Sequence, residues 1–269
     1  MLADMFRMDG KIAVVTGAGF GIGRSFALGL AAFGATVICA DRDMPGAEET
    51  AGLVKQSKGR AEAIETDVTN EASVDKMWDF VEKEFGRADI LINNAGIATP
   101  PVRTHEFSVA DWDRLMAVNL RGVFLCSRRA LALMLQQKSG SIINIASILG
   151  LKGFYPGVPA GGVSYSTSKA GVIGFTRQVA AEYAADGIRV NAIAPGWHGG
   201  TNLGAERRAV ATKDEIGAFE KALHDRIPMH HRGKPDDLIG LAVYLASDAS
   251  HYMTGQVIAH DGGWDAMIA

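Results

Sequence analysis

The chain has 269 residues, of which 48% are hydrophobic and 21% charged, and its formal net charge is −3. This slightly acidic composition, without a run of Lys and Arg, argues against a dedicated nucleic-acid-binding protein. No apolar run is long enough to cross a membrane, and the first residues lack the apolar core of a signal peptide, so we expect a cytoplasmic protein. Cys39 and Cys126 lie in apolar runs, which predicts buried thiols rather than disulfides.

Short apolar runs alternate with amphipathic stretches along the whole chain. The runs predict seven strands, at Lys11–Thr16, Ala35–Ala40, Ala61–Thr66, Asp89–Asn93, Ser141–Ala146, Ile188–Ala194 and Gln256–Ala259. Helical patterns lie between them near residues 21–33, 44–57, 70–85, 108–137, 163–185 and 235–247. Because parallel strands are covered by helices on both faces, this alternation predicts a doubly wound α/β fold around a seven-stranded parallel sheet. No linker-like segment divides the chain, so we expect one domain over residues 1–269.

Two of the helices have recognisable starts. Ser108 followed by Asp111 predicts a capping box for the helix that contains Trp112. Pro235 and the two aspartates after it suit the first turn of the last helix, where proline is tolerated and acids face the positive end of the helix dipole. Both signals support the alternation of strands and helices.

A glycine-rich turn follows the first strand. Gly17, Gly21 and Gly23 permit a tight turn, close approach of the backbone to a ligand, and close packing of helix on strand. The next helix offers unpaired N–H groups to a pyrophosphate. Glycines also simply end strands, but the position in the first strand–helix turn favours a dinucleotide site.

An acidic residue ends the second predicted strand. From there the Asp41 carboxylate can accept hydrogen bonds from the hydroxyls of an adenosine ribose, and it would repel the 2′-phosphate of NADP. A solvated acid at a strand end is the plainer alternative, and Arg42 beside it is a phosphate partner. We predict NAD as the cofactor.

Tyr165 and Lys169 are spaced by one helical turn, so their side chains share a face. A tyrosine hydroxyl has a pKa of about 10, too high for a base at neutral pH, and a nearby ammonium and a helix N-terminus can lower that pKa. Ser147 ends the fifth predicted strand and is placed to bond a substrate oxygen. By itself, a tyrosine–lysine pair at this spacing is common on solvated helices.

Taken together, these segments resemble the short-chain dehydrogenase/reductase family over about residues 10–265. The matching motifs stand in the family's order: TGxxxGxG at 16–23, Asp67-Val68, NNAG at 93–96, Asn119, Ser147, Tyr165-x3-Lys169 and RVNAIAPG at 189–196. The resemblance implies a three-layer Rossmann fold forming a single NAD-binding catalytic domain, with a homotetramer as its assembly or, second, a dimer.

The resemblance also implies a role for each matching residue. Tyr165 would be the general acid/base, Ser147 would orient the reacting oxygen, and Lys169 would bind the nicotinamide ribose and lower the tyrosine pKa. Asn119 would hold a water that passes protons to solvent. The implied cofactor contacts are Gly17, Gly21, Ile22, Gly23, Asp41, Asp67, Val68, Asn94, Gly96, Tyr165, Lys169, Pro195, Gly196, Trp197 and Thr201.

Two segments depart from the family's pattern. The stretch between Ser147 and Tyr165 is longer than usual, so we expect the loop near 150–163 to shape substrate specificity. After Pro195-Gly196 the threonine stands one position late, at Thr201, which leaves its contact with the nicotinamide carboxamide open. A second substrate-loop region is expected near 197–228.

Histidines are concentrated in and just after that second region. Four of the seven histidines of the chain lie there, namely His198, His224, His230 and His231. No two of these histidines have both the spacing and the neighbouring carboxylate that a known metal site has, so we predict no metal. The plain alternative is that these histidines belong to a solvated basic face of the protein. As a functional reading, the region weakly favours an acidic or polyhydroxylated substrate. Trp197 and His198 are placed to reach the substrate, with packing of Trp197 as an equal alternative.

The sequence therefore predicts an NAD-dependent oxidoreductase that interconverts a secondary alcohol and a ketone, acting on a small molecule of sugar, polyol or hydroxy-acid type. An NADPH-dependent 3-oxoacyl-thioester reductase is one alternative, against which Asp41 argues. A non-catalytic NAD-sensing protein is the other, and the intact set of Ser147, Tyr165, Lys169 and Asn119 argues against it.

Overall fold

Seven parallel strands form the middle layer of the protein. The computed structural model describes residues 3–99, 102–153, 162–203 and 212–267. The strands are β1 (Ile12–Thr16), β2 (Thr36–Asp41), β3 (Arg60–Glu65), β4 (Ile90–Asn93), β5 (Gly140–Ile145), β6 (Ile188–Pro195) and β7 (Val257–His260). Their order is β3-β2-β1-β4-β5-β6-β7, and every neighbouring pair is parallel. The winding reverses between β1 and β4, and ligands of such sheets bind at the carboxyl ends of the strands beside that reversal.

Helices cover both faces of this sheet. They are α1 (Gly21–Ala32), α2 (Met44–Gln56), α3 (Glu71–Phe85), α4 (Val109–Met116), α5 (Gly122–Gln137), α6 (Val163–Tyr183), α7 (Lys213–Arg226) and α8 (Ile239–Ala246). Apolar residues of α1, α2 and α8 fill the core on one face, and those of α3, α5 and α6 fill it on the other. The predicted doubly wound, three-layer fold is confirmed.

The long helix predicted over 108–137 is interrupted. A π-helical turn at Ala117–Arg121 separates α4 from α5. Its start agrees with prediction, because the Asp111 N–H donates to the Ser108 Oγ at 3.0 Å. Cys39 and Cys126 are buried without a disulfide, as predicted. Such π turns are frequently found at functional sites, and this one contains Asn119.

Part of the two expected substrate loops is described. Residues 154–161 of the first loop and 204–211 of the second lie outside the described residues. The second region contains a helix that the sequence analysis missed, α7, whose start is capped by Thr212 and Glu215. The predicted last helix begins as a 3-10 turn, Pro235–Leu238, before α8. Within the described ranges, no helix is both long and apolar enough to cross a membrane.

Candidate active site

The glycine turn joins β1 directly to α1. Gly17 and Gly21 have φ of +65° and +58°, which side-chain-bearing residues rarely adopt. A Cβ atom at Gly23 would overlap the Gly17 carbonyl and lie 2.6 Å from the Asn94 amide nitrogen. Only glycine therefore fits at Gly23, and it lets the first turn of α1 lie against the end of β1.

Asn94 fastens this turn to the neighbouring strand. Its side-chain amide donates to the backbone carbonyls of Thr16 and Gly17, both at 3.0 Å, and its backbone N–H donates to the Thr16 hydroxyl at 3.0 Å. The side chain predicted to line the cofactor thus holds the ends of β1 and β4 together, at the point where the winding of the sheet reverses.

The residues here fit a dinucleotide. The residue before α1, Phe20, places no side-chain cap on the first N–H groups of the helix, so the anion-attracting end is open. Ile22 lies in that first turn. A Cβ at Gly21 would lie 3.2 Å from the Gly200 carbonyl oxygen and 3.4 Å from the Thr201 Cα, so the segment containing Thr201 borders the same turn.

Asp41, at the end of β2, is bonded to the glycine turn. Its Oδ2 accepts from the Gly19 N–H at 2.8 Å and its Oδ1 from the Asp43 N–H at 3.0 Å. A carboxylate has about four acceptor positions, so acceptor capacity remains for the hydroxyls of a ribose. Arg42 is exposed beside it.

Asp67 and Val68 follow β3 and differ in exposure. Asp67 is exposed, and its Oδ1 accepts from the Thr69 N–H at 2.9 Å and the Thr69 hydroxyl at 2.7 Å. Val68 is buried against Gly122, and a Cβ added at Gly122 would lie 2.9 Å from a methyl group of Val68. The two lie at the edge of the sheet where an adenine ring is expected.

A brace behind the glycine turn was missed by the sequence analysis. The Arg24 guanidinium donates to the Gly19 carbonyl at 2.6 Å and to both oxygens of Glu49. The buried Thr50 hydroxyl donates to the Ala18 carbonyl at 2.8 Å. These contacts join α1 and α2 to the turn. No local signal in the sequence identifies the contacts of Arg24 with Glu49 and of Thr50 with Ala18, because these partners are more than twenty residues apart.

Ser147 and Tyr165 meet at the carboxyl end of β5. Ser147 is 6% exposed and Tyr165 is 7% exposed. Burial raises the pKa of Tyr165 to about 12, although its hydrogen bond with Ser147 acts in the opposite direction. This differs from the expected lowering of the tyrosine pKa by Lys169, because desolvation of the phenolate is the larger effect.

Lys169 lies one turn further along α6 and is buried. Its Nζ donates to the Ile145 carbonyl oxygen at 2.7 Å and lies 5.7 Å from the centroid of the Tyr165 ring. Burial lowers the pKa of Lys169 to about 8. A Cβ at Gly96 would lie 3.7 Å from this Nζ, so the glycine at the end of β4 borders the lysine.

Asn119 connects the π turn to the segment after β4. Its Oδ1 accepts from the Ile97 N–H at 2.8 Å, and its Nδ2 donates to the Ile97 carbonyl at 2.9 Å and to the Ser168 hydroxyl at 3.3 Å. The side chain is fully buried. It therefore positions the loop after β4 against α6, and its predicted hold on a water stays a prediction.

The segment after β6 packs tightly on the end of β7. The Gly196 N–H donates to the His260 carbonyl at 3.0 Å, and a Cβ at Gly196 would lie 2.6 Å from the Cβ of Asp261. Trp197 packs edge-on against Phe219 of α7 and Trp264, with ring centroids 5.8 Å apart in both pairs. The ring of Trp197 is therefore packed, and its predicted contact with the cofactor or the substrate stays a prediction.

The four histidines do not form one cluster: His198 pairs with His260, His224 pairs with His230, and His231 belongs to neither pair. His198 is 8% exposed, and its ring lies 5.4 Å from that of His260. The rings of His224 and His230 are 5.5 Å apart at the end of α7. Burial lowers the pKa of His198, which favours its neutral form. His198 therefore adds no positive charge to a basic face.

Comparisons with known proteins agree with this geometry. The sequence profile of a family described as enoyl-(acyl carrier protein) reductase matches residues 17–265. The chain is 41% identical over 258 residues to the cis-4-hydroxycyclohexanecarboxylate dehydrogenase of Sinomonas cyclohexanicum, covering 96% of this chain and 97% of that protein. A short-chain type dehydrogenase/reductase from Mycobacterium marinum superposes with a TM-score of 0.90 at 35% identity, covering 98% of this chain and 99% of that one.

The chain belongs to the short-chain dehydrogenase/reductase family. A gluconate 5-dehydrogenase from Burkholderia cenocepacia, solved with NADP and tartrate, is similar over the full length of both chains, with a TM-score of 0.90 and 35% identity. Members of this family with dehydrogenase and reductase names act on CH–OH groups with a nicotinamide cofactor. This protein is an oxidoreductase of that class, which sets aside the alternative of a non-catalytic sensor.

Proposed function

We propose that this enzyme is an NAD-dependent dehydrogenase that interconverts a secondary alcohol and the corresponding ketone. The supporting observation is the burial of Ser147 and Tyr165 next to each other at the carboxyl end of β5, with the Lys169 Nζ 5.7 Å from the centroid of the Tyr165 ring. A hydroxyl pair of this kind can hold one reacting oxygen and exchange one proton with it.

In oxidation, Tyr165 takes the proton of the substrate hydroxyl, and in reduction it returns that proton to the carbonyl oxygen. Ser147 donates a hydrogen bond that orients the same oxygen. When bound, the nicotinamide group supplies the acceptor or donor of the hydride. Because all three side chains of the cluster are less than 8% exposed, water is largely excluded from the proton transfer.

Lys169 has two tasks in this scheme. Its pKa of about 8 lets it exist as an ammonium or as an amine near neutral pH. As an ammonium it stabilises the phenolate of Tyr165 and donates to the ribose next to the nicotinamide. As an amine it can accept a proton, and the ammonium so formed can release a proton onward, in the direction of the Asn119 turn.

Asp41 supports NAD over NADP. Its carboxylate faces the glycine turn, where a 2′-phosphate would meet a negative charge. The Burkholderia relative was solved with NADP, so the preference of this enzyme has to be measured directly. The comparison is between kcat/KM for NAD and for NADP with one substrate.

The substrate we propose is a hydroxy acid or polyol. The relatives are named for cis-4-hydroxycyclohexanecarboxylate and gluconate, and each of these molecules carries both a carboxylate and a secondary alcohol. Among the four histidines of this region, His198 is buried and favours the neutral form, so it contributes nothing to a basic face. The preference for an acid therefore rests on the relatives.

The remaining parts of the proposal concern the whole chain. We propose a single catalytic domain over residues 1–269 that assembles as a homotetramer, with a dimer as the second choice and the cytoplasm as its location. Static light scattering at micromolar concentration measures the assembly, and a monomer of 28.5 kDa would contradict it.

The decisive experiment is a substrate screen that follows NADH absorbance. Gluconate, cis-4-hydroxycyclohexanecarboxylate, a sugar polyol and a steroid alcohol are tested as substrates, with the Tyr165→Phe enzyme as the matched control. We expect NAD reduction with at least one hydroxy acid or polyol. Oxidation of NADPH by an acetoacetyl thioester, without NAD-dependent oxidation of any alcohol, would establish the reductase alternative instead.

A further inference from the structure

A short 3-10 turn joins Ser147 to the loop that follows β5. This turn, Ile148–Gly150, begins directly after Ser147, whose Oγ accepts from the Leu149 N–H at 3.2 Å. The Gly150 N–H donates to the Ser147 carbonyl oxygen at 2.9 Å. Because two hydrogen bonds join the turn to Ser147, a displacement of the turn displaces Ser147 as well.

Gly150 lies directly on the backbone of α6. A Cβ at Gly150 would lie 2.6 Å from the carbonyl carbon of Lys169, 2.8 Å from the oxygen of that carbonyl and 2.8 Å from the Ala170 nitrogen. These three atoms belong to the helix backbone, so they cannot rotate away as the end of a side chain can. Carbon atoms in van der Waals contact lie about 3.5–4.0 Å apart, so any side chain at this position would force the turn and α6 apart by roughly 1 Å.

Two further contacts hold the turn in place. Leu151 packs against the apolar cluster that includes Val172 and Ile173 of α6. The Lys152 Nζ donates to the Asp265 carbonyl oxygen at 2.8 Å and lies 3.0 Å from the Oδ1 of the same residue. An outward swing of the turn would have to break these contacts, so the strain of an added Cβ reaches the start of the turn, at Ser147.

The contact at Gly150 lies between the two elements that carry the reacting groups. Ser147 stands on one side of it, at the end of β5, and Lys169 is the residue touched on the other side, with Tyr165 one turn earlier on α6. Packed protein interiors transmit strain, so a separation at Gly150 is passed on to the pair of hydroxyls. A misplacement of about 1 Å in a catalytic site can cost on the order of 10²-fold in rate.

We propose that Gly150 is a positioning residue for the dehydrogenase reaction, because the absence of a side chain there sets the distance between the Ser147 and Tyr165 hydroxyls. The inference rests on the proposed function, since it takes these two hydroxyls as the groups that hold the reacting oxygen. In this scheme Gly150 acts on their spacing alone and contributes nothing to cofactor binding.

The kinetic test compares Gly150→Ala with Gly174→Ala. Gly174 lies on the same helix α6, and among the described residues no atom lies within 4 Å of a Cβ added there. Rates are measured with the alcohol of the substrate screen that the wild type oxidises fastest, and NADH affinity is measured by fluorescence titration. We expect kcat of Gly150→Ala to fall by about 10²-fold with NADH affinity unchanged, whereas Gly174→Ala should keep both.

Crystal structures of the wild type and the two variants give a readout that needs no substrate. The distance between the Ser147 Oγ and the Tyr165 Oη should be larger by roughly 1 Å in Gly150→Ala and unchanged in Gly174→Ala. If Gly150→Ala does not fold, Leu151→Ala decides, because it loosens the packing of the turn on α6 without adding an atom. Its kcat should fall with NADH affinity unchanged, and Leu151→Met, which conserves the volume, should restore kcat.

The inference and the proposed function fail in different ways. Wild-type kcat in Gly150→Ala, an unchanged distance between the two hydroxyls, or a loss of NADH affinity as large as the loss of kcat would overturn the inference. Wild-type kcat in Leu151→Ala would do so where Gly150→Ala does not fold. A wild type that oxidises no alcohol of the screen would instead overturn the proposed function, and the measured distance would still decide the role of Gly150.

Discussion

The glycine turn and the catalytic cluster lie at the same edge of the sheet but are organised by different means. The turn is built from backbone: two glycines with positive φ, the open N-terminus of α1, and the Asn94 amide that holds both in place. The cluster is built from buried side chains, and their protonation depends on what surrounds them. The turn is therefore ready to bind an anion, whereas the cluster depends on additional charge.

The pKa values show that dependence. Tyr165 has a pKa of about 12 and Lys169 about 8, so burial moves both groups towards their neutral forms. At neutral pH the tyrosine is therefore protonated beside a lysine that is still mostly an ammonium, so its phenolate needs further stabilisation before Tyr165 can act as a base. The positive charge of an oxidised nicotinamide bound near these groups would favour the phenolate, and this is the condition under which we expect the cluster to act.

The largest expected effect is at the catalytic cluster. Tyr165→Phe keeps the ring and removes the transferable proton, so kcat should fall by about 10³-fold or more, as for other general acid/base groups. Cofactor affinity, measured by fluorescence titration with NADH, should stay unchanged. Tyr183→Phe, at the end of the same helix, is the control and should keep full activity. Near-normal oxidation by Tyr165→Phe would disprove the catalytic assignment.

The charge state of Lys169 should be visible in how the free energy of unfolding depends on pH. Its pKa is about 8 when folded against 10.5 ordinarily, so between these pH values the unfolded chain binds a proton that the folded chain does not. Wild-type stability should therefore fall as pH is lowered through this window. The Lys169→Met variant has no lysine to protonate and does not lose stability in this way. The difference in unfolding free energy, variant minus wild type, should therefore rise by about 3 kcal/mol as the pH is lowered from 10.5 to 8.

Urea unfolding at several pH values measures this difference. Lys83→Met, which removes an exposed lysine, is the control and should show no change across the window. A difference between Lys169→Met and wild type that stays constant from pH 8 to pH 10.5 would mean that Lys169 is not desolvated.

A side chain added in the glycine turn should weaken cofactor binding for a steric reason. Gly23→Ala places a Cβ against the Gly17 carbonyl, so the turn must move. Overpacking of this kind costs roughly 1–3 kcal/mol, and we therefore expect the affinity for NADH to fall by about tenfold or more. Gly52→Ala is the matched control, because no atom lies within 4 Å of a Cβ there. It should bind NADH normally and be stabilised by about 1 kcal/mol as a better helix former.

The smallest effect is expected at Asp41. Asp41→Ser removes the negative charge facing a 2′-phosphate, so the ratio of kcat/KM for NAD over NADP should narrow by about tenfold, or 1.4 kcal/mol. Asp43→Ser, two residues further on, controls for a general loss of charge. If wild type uses both cofactors equally, Asp41 does not select between them.

What could be predicted from sequence was local in character. The alternation of strands and helices, the glycine turn after β1, the acid at the end of β2 and the one-turn spacing of Tyr165 and Lys169 are patterns within a few neighbouring residues. Such patterns depend on backbone geometry and on the period of each element, which tertiary packing rarely changes.

Only the tertiary structure decided the features that join distant segments. Asn119 reaches Ile97, Lys169 reaches the Ile145 carbonyl, and Trp197 packs on Trp264. The direction of the Tyr165 pKa also belongs here, because it depends on how much water the folded chain removes from the phenol. The sequence by itself determined which groups stand at the edge of the sheet, and burial determined their protonation.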